Sequence, residues 1–283
     1  MTKIIWKNTD IASPYLTEKE GVPFLKYRSL EETGIVRHGF STRAGGVSEG
    51  IYQSMNLSFT RGDESWRVTE NYHRMAAALE IPYESIVTSD QTHTINVRKV
   101  GKSDRGSGLT RPRDFTDVDG MITDEPQTAL ATFYADCVPL FFVDPVHHCI
   151  GLSHSGWRGT KDKMGLVTVQ AMQKEYGTNP SDLLTAIGPS ICQDCYEVSE
   201  DVIEEFSASF APNLHEKLFF RKDNGKYQLN LWEANVQVLR EAGVPDPQIE
   251  RPNLCTCCNP ELLFSHRASH GKRGNLGAFL MLI

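Results

Sequence analysis

The 283-residue chain is 40% hydrophobic, 23% charged and 9% aromatic, with a formal net charge of −7 at pH 7. That is the composition of a globular protein able to bury a large core, and it excludes disordered and collagen-like chains. The acidic balance argues against a nucleic-acid partner, which needs a concentrated basic surface, and favours small-molecule ligands.

The opening residues "MTKIIWKNTDIASPY" lack the roughly 7–15-residue apolar stretch of a secretory signal, so export is not expected. The interior run "CVPLFFV" falls far short of the roughly 20 apolar residues a bilayer requires, so no membrane partner is expected either. Seven cysteines, an odd count that is sparse for this length, argue against a disulfide framework and fit a cytoplasmic setting.

No repeat or linker divides the chain, so residues 1–283 are read as one domain. The polar stretch 101–120 is read as a surface loop that can line a pocket. Helices are predicted after Asp63 as N-cap, with Val68, Tyr72, Met75 and Leu79 inward until Pro82, and over Leu166, Val169, Met172 and Tyr176 as far as Gly177. Two more are predicted after Ser199, with Val202, Ile203 and Phe206 on one side, and from Asn230 to Gly243, where Asn230 and Glu233 form a capping-box pattern. Strand-like runs are "GIVRHGFST", "SIVTSDQTH", "TINVRKV", "GMIT", "ALATFYADC", "PLFFVD", "CIGLSH", "LLTAIGP" and "AFLMLI". In "FFVDPVHHCIGL", Asp144 and Pro145 sit at a hairpin turn, and His147 and His148 beside them are read as solvated. Strands outnumber helices and several are joined by turns. The expected class is α+β, a mixed and partly antiparallel sheet with helices packed on it.

Cys137, His154 and His93 each lie at the end of a strand-like run. Three such ends brought to one sheet edge would offer the three ligands of a zinc site with an open fourth position. The same residues are also explained by a core cysteine and histidines bonded to backbone. "CQDC" at 192–195 and "CTCC" at 255–258 contain the usual ingredients of a structural zinc site. A Cys-x-Cys-Cys cluster is cramped, however, and the spacing argues against a second metal at Cys192, Cys195, Cys255, Cys257 and Cys258.

The segments "RHGFSTRAGGVS", "MNLSFTRGDESWRVTENYHRMA", "QTH", "VDGMIT", "FYADCVPLFF", "GLSHSGWRGT", "AIGPSICQDCYEVSEDV" and "LFSHRASHGKRGNLGAFLMLI" follow one another as in the YfiH/YlmD family, also called the laccase-domain or polyphenol oxidase family. The chain resembles that family from about residue 35 to its end. Especially specific is an Ala-Asp-Cys motif followed 17 residues later by the histidine of His-Ser-Gly-Trp-Arg-Gly. The resemblance implies that His93, Cys137 and His154 hold Zn2+. It also implies phosphorolysis of adenosine, inosine and methylthioadenosine to free base and ribose 1-phosphate, with adenosine deaminase activity. Older descriptions of the family speak of copper polyphenol oxidases, which makes Cu2+ the alternative ion, and of peptidoglycan editing. Ser155 stands where alanine is usual, Thr94 where glycine is frequent, and Ala268 where a second basic residue is common. The first two leave the ligands untouched, and the third puts a phosphate role for the last segment in doubt.

Deamination needs a group that moves protons, yet no His-x-Glu or Pro-Cys-x-x-Cys signature is present. Asp136 is the nearest candidate, although strand alternation turns it away from Cys137 and makes a supporting role equally suitable. Phosphorolysis needs a phosphate clamp, and Arg43 and Arg158, each beside glycines, are the candidates. Asn56 and Gln91 are candidates for contacts to ribose or base. A copper laccase would use clustered His-x-His ligands, and none occurs among the nine histidines. A Cys137–His154 hydrolase remains a further alternative.

Overall fold

The computed structural model describes residues 3–9 and 13–283. In chain order the strands are β1 (Tyr15–Lys19), β2 (Val22–Lys26), β3 (Val36–Ser41), β4 (Ile86–Thr88), β5 (Val97–Lys99), β6 (Gly120–Thr123), β7 (Ala129–Tyr134), β8 (Val138–Asp144), β9 (Cys149–Ser155), β10 (Leu184–Ile187), β11 (Glu197–Val198), β12 (Phe219–Arg221), β13 (Tyr227–Leu229), β14 (Ile249–Glu250) and β15 (Leu276–Leu282). The helices are α1 (Arg28–Glu32), α2 (Ser65–Leu79), α3 (Trp157–Lys161), α4 (Met164–Tyr176), α5 (Glu200–Ser209), α6 (His215–Leu218) and α7 (Leu231–Glu241). None of them is long and apolar enough to cross a membrane.

The expected α+β class is present, but the strands form two large sheets where one was expected. Each has six strands, in the orders β1-β2-β3-β15-β7-β4 and β14-β10-β8-β9-β6-β5, and a three-stranded sheet, β11-β13-β12, stands apart. Most pairings are antiparallel, while β4–β7, β5–β6 and β10–β14 are parallel.

Period-two alternation explains the layering. Leu130 of β7, Leu280 of β15 and Phe141 and Val143 of β8 point into a core between the two large sheets. Ala129, Ala131, Phe279 and Met281 turn the other way, onto α2. Leu140 and Phe142 turn onto a core shared with α4, α5 and α7. The order is therefore helix, sheet, sheet, helix, and both faces of each sheet are buried, which is why its central strands read as nearly continuous apolar runs.

Helix termini follow the sequence with one exception. Asn230 accepts the Glu233 N–H at 3.0 Å, and Gly177 closes α4 at φ 74°. The N-cap of α2 is Glu64 and not Asp63. The Asp63 carboxylate is occupied elsewhere, by the Ser48 hydroxyl at 2.6 Å and the Asn56 amide at 3.0 Å. The predicted hairpin is β8–β9, which closes at Asp144 opposite Cys149.

A buried histidine lies in the inter-sheet region. His38 of β3 is 1% exposed, and its Nε2 accepts the Tyr27 N–H at 2.9 Å, so the ring is neutral in the fold. Burial, reinforced by the Lys26 charge, pushes its pKa from 6.5 down to about 3. Because the folded value lies below the unfolded one, the stability this neutral ring contributes is complete above pH 6.5 and is lost as pH falls toward 3. Denaturant unfolding at pH 7 and pH 5 should show wild type losing about 2 kcal/mol more than His38→Gln. An identical pH dependence for the two proteins would refute this.

Candidate metal centre and its cavity

The chain passes from one large sheet to the other between Tyr134, the last residue of β7, and Val138, the first of β8. Cys137 lies in this crossing. The strand it adjoins is β8, paired with β9, while β7 belongs to the other sheet. The crossing turns at Asp136, which has φ 89° and is held at three points. Thr256 Oγ1 donates to its Oδ1 at 2.6 Å, the Arg267 N–H to its Oδ2 at 2.7 Å, and the Ile191 N–H to its carbonyl at 3.0 Å.

His154 lies on β9 opposite Pro139 and is 3% exposed. His93 differs from expectation, because the strand before it stops at Thr88 and His93 occupies a loop at φ 68°. That loop is fixed by Asp119, a fully buried carboxylate. Asp119 accepts the backbone N–H of Thr92 at 2.9 Å, of His93 at 3.2 Å and of Thr94 at 3.0 Å. It also bonds His154 Nδ1 at 2.7 Å. Burial alone would raise its pKa, but His154 and these N–H groups outweigh that and hold it below the usual carboxylate range. The bond to Nδ1 leaves His154 Nε2 free to ligate.

One donor atom from each of His93, Cys137 and His154 lies within 4.8 Å of the others. Cys137 Sγ is 3.9 Å from His93 Nε2, and the two imidazole rings meet edge-on at 4.9 Å between centroids. Burial would raise the Cys137 thiol, but the His154 charge and hydrogen bonds from both histidines bring it down to about 6. Burial would lower His154, yet the Cys137 thiolate and Asp119 raise it to about 9. The two shifts are mutual, the charged form of each group favouring that of the other. A metal ion bound in place of the His154 Nε2 proton would meet one sulfur and two imidazoles, a donor set that fits a borderline ion such as zinc.

All three side chains face a cavity of about 380 Å³, within the size range of small-molecule sites. Its wall includes Phe59, Tyr72, Phe133 and Tyr134, with Arg61, Arg113 and Arg273. Arg113 is paired with Asp90 at 2.9 Å. Arg61 and Arg273 have no carboxylate within 4.0 Å among the described residues. Burial, with the like charge of Arg61, lowers Arg273 to about 10. Arg61 donates to the Gly271 carbonyl at 3.1 Å and Arg273 to the Gly274 carbonyl at 3.3 Å, and their remaining N–H groups make the pair the cavity's candidate for holding an anion.

The other sequence candidates are placed differently. Arg43 donates to the carbonyls of Gln53 at 2.9 Å and Pro260 at 2.7 Å, so it staples turns and does not line the cavity. Arg158 is exposed and lies over the Trp157 ring at 4.2 Å, also off the cavity wall. Asn56 is buried, with its amide bonded to Ser58, Asp63 and Asn275. Gln91 does line the cavity, although its amide is occupied by the backbone of Phe133 at 2.8 and 2.6 Å. Asp136 does not line the cavity, and both its oxygens are occupied, which is a positioning role. Sequence reading missed Asp119, Arg61 and Arg273. All three lie in motifs it singled out, and each arginine precedes a glycine, the same signal that pointed to Arg43 and Arg158.

Residues 37–283 match the family model described as "Multi-copper polyphenol oxidoreductase laccase". The chain is 39% identical over 272 residues to "Purine nucleoside phosphorylase YlmD" of Geobacillus stearothermophilus, covering 94% of this chain and 97% of that protein. It is 37% identical over 248 residues to the protein of the same name from Bacillus subtilis, covering 86% and 87%. The crystal structure of Bacillus licheniformis hypothetical protein YfiH superposes with a TM-score of 0.89 at 35% identity, covering 95% of this chain and 99% of that one.

The close approach of the ligands depends on Gly156. A Cβ there would sit 2.9 Å from His93 Cδ2 and 3.2 Å from Cys137 Sγ. Gly156→Ala, whose φ of −71° suits alanine, should keep the fold by circular dichroism yet weaken zinc binding about tenfold or more in chelator competition. Unchanged zinc affinity would contradict this geometry.

Proposed function

The chain belongs to the YfiH/YlmD family, and from that premise we propose that it is a zinc-dependent purine nucleoside enzyme. It cleaves adenosine, inosine and methylthioadenosine with phosphate to the free base and ribose 1-phosphate, and it deaminates adenosine as a second activity. It works in the cytoplasm on free nucleosides and phosphate, without a nucleic-acid or membrane partner. The observation that carries this reading is the convergence on one cavity of the His93, Cys137 and His154 group with the Arg61 and Arg273 pair.

In phosphorolysis a phosphate oxygen bonds to C1′ of the ribose while the bond from C1′ to the purine nitrogen breaks and its electron pair leaves on the base. Arg61 and Arg273 hold the phosphate dianion and relieve their own mutual repulsion as they do so. Phe59, stacked on Tyr72 at 5.8 Å, offers an aromatic face to the base. Zinc held by His93, Cys137 and His154 would supply Lewis-acid polarisation of a group in its open position. Asp119 keeps His154 in the ligating tautomer. For deamination, Asp90 is the one carboxylate on the cavity wall among the described residues, while Asp136 acts by holding the Cys137 turn.

A second reading has its own observation. Cys137, His154 and Asp119 stand in the order of a nucleophile, base and orienting acid, with the thiol already lowered to about 6. The zinc reading is preferred because His93 has no place in such a triad, yet its donor atom completes the cluster.

The test is to incubate metal-analysed protein with adenosine and phosphate and to resolve adenine, inosine and hypoxanthine by chromatography. Absence of all three products from zinc-loaded protein would sink the proposal, and copper content with phenol oxidation would point to the alternative ion and chemistry. Cys137→Ala should lose the cavity's zinc, one ion per chain, together with activity, whereas an undiminished zinc content with lost activity would favour the nucleophile. Arg273→Ala should lower kcat/KM for phosphate roughly 10- to 100-fold, the weight of a lost charge-assisted contact, with zinc content unchanged.

A further inference from the structure

A second group of ligating side chains lies outside the cavity. Cys192 follows β10, Cys195 lies three residues on, and Cys255 and Cys258 lie in the segment after β14. One sulfur from each is within 4.8 Å of all the others. Cys195 Sγ is 3.5 Å and Cys192 Sγ 3.9 Å from Cys258 Sγ. Four sulfurs at about 2.3 Å from a tetrahedrally coordinated zinc are themselves about 3.8 Å apart. We propose that Cys192, Cys195, Cys255 and Cys258 hold a second metal ion, a structural zinc bound by four thiolates.

The sequence spacing had argued against this site, and the structure corrects the reason. "CTCC" was read as a cramped Cys-x-Cys-Cys cluster, but Cys257 stands outside the group. Without it, Cys192–Cys195 and Cys255–Cys258 are two Cys-x-x-Cys pairs, the spacing of structural zinc sites. The backbone is shaped accordingly. The N–H groups of Cys192 and Cys258 donate to Cys255 Sγ at 3.2 and 3.4 Å, which favours the thiolate. Four thiolates on a divalent ion carry excess negative charge. The Lys7 ammonium, paired with Asp194 at 2.9 Å, lies against Cys192 and Cys258 to offset it.

The site would join two loops that otherwise share little regular pairing. Among the described residues a single bridge, Ser190 to Cys255, links them as strands. Both loops reach the crossing beside Cys137, through Thr256 and Ile191 on Asp136. The second ion therefore acts at a distance, by fixing the turn that presents Cys137.

The experiment is zinc and thiol analysis of protein purified under reducing conditions without chelator. Wild type should carry two zinc ions per chain, and His154→Ala should retain one, released by a mercurial reagent in step with four thiols. Cys195→Ser should fall by one ion and unfold at lower temperature. Because His154→Ala leaves the four cysteines intact, the outcome does not depend on whether the cysteine variant folds. A zinc-free His154→Ala protein, iron in place of zinc, or four cysteines recovered as disulfides would each overturn the proposal, whatever the nucleoside assay shows.

Discussion

The buried carboxylate of Asp119 is the constraint on which the candidate metal centre depends. It lies immediately before β6, with its side chain wholly out of solvent. A buried carboxylate is tolerated only when its lone pairs are satisfied. Here they are satisfied by three successive N–H groups of the 92–94 loop and by His154 Nδ1. Meeting that electrostatic requirement thereby fixes two of the three candidate ligands at once, the loop that carries His93 and the tautomer of His154. The third ligand, Cys137, is held by an analogous device, in which the Asp136 carboxylate anchors the crossing between sheets. Two aspartates that touch neither cavity nor substrate thus set the geometry of the site.

The same architecture gives an acidic protein a candidate anion site. The formal charge of −7 is spread over a surface where most pairs are exposed and contribute little. In the cavity, the exposed Arg61 and the half-buried Arg273 sit together without a carboxylate partner among the described residues, and around Arg273 burial leaves less water to screen the charge. Local field and net charge point in opposite directions, and only the local field bears on the ligand.

Much of the fold could be read from the chain where local signals are strong. Asn230, Gly177 and the inward stripe Val68, Tyr72, Met75 and Leu79 end or orient their helices as their chemistry dictates. The strands β8, β9 and β15 declare themselves as apolar runs. What could not be read is non-local. No pattern in residues 129–144 states that β7 and β8 belong to different sheets, because both are buried on two faces and carry the same apolar signature. The β1–β2 hairpin went unread because its outer strand alternates into solvent and carries few apolar residues. At the site, the candidate ligands were legible from their places at the ends of strand-like runs and from motif resemblance, whereas Arg61 and Arg273 were not. An arginine beside a glycine looks alike whether it staples carbonyls, as Arg43 does, or faces a cavity, as Arg273 does, and only tertiary contacts separate the two.

In this chain a Cys and two His lie at the seam of two sheets with two arginines across the cavity. Asp119 holds this arrangement together. The most direct measurement is zinc affinity of Asp119→Asn by chelator competition, since asparagine keeps the shape and removes one of the two acceptor oxygens. The account predicts a loss of roughly 10- to 100-fold with the fold retained, and affinity equal to wild type would contradict it.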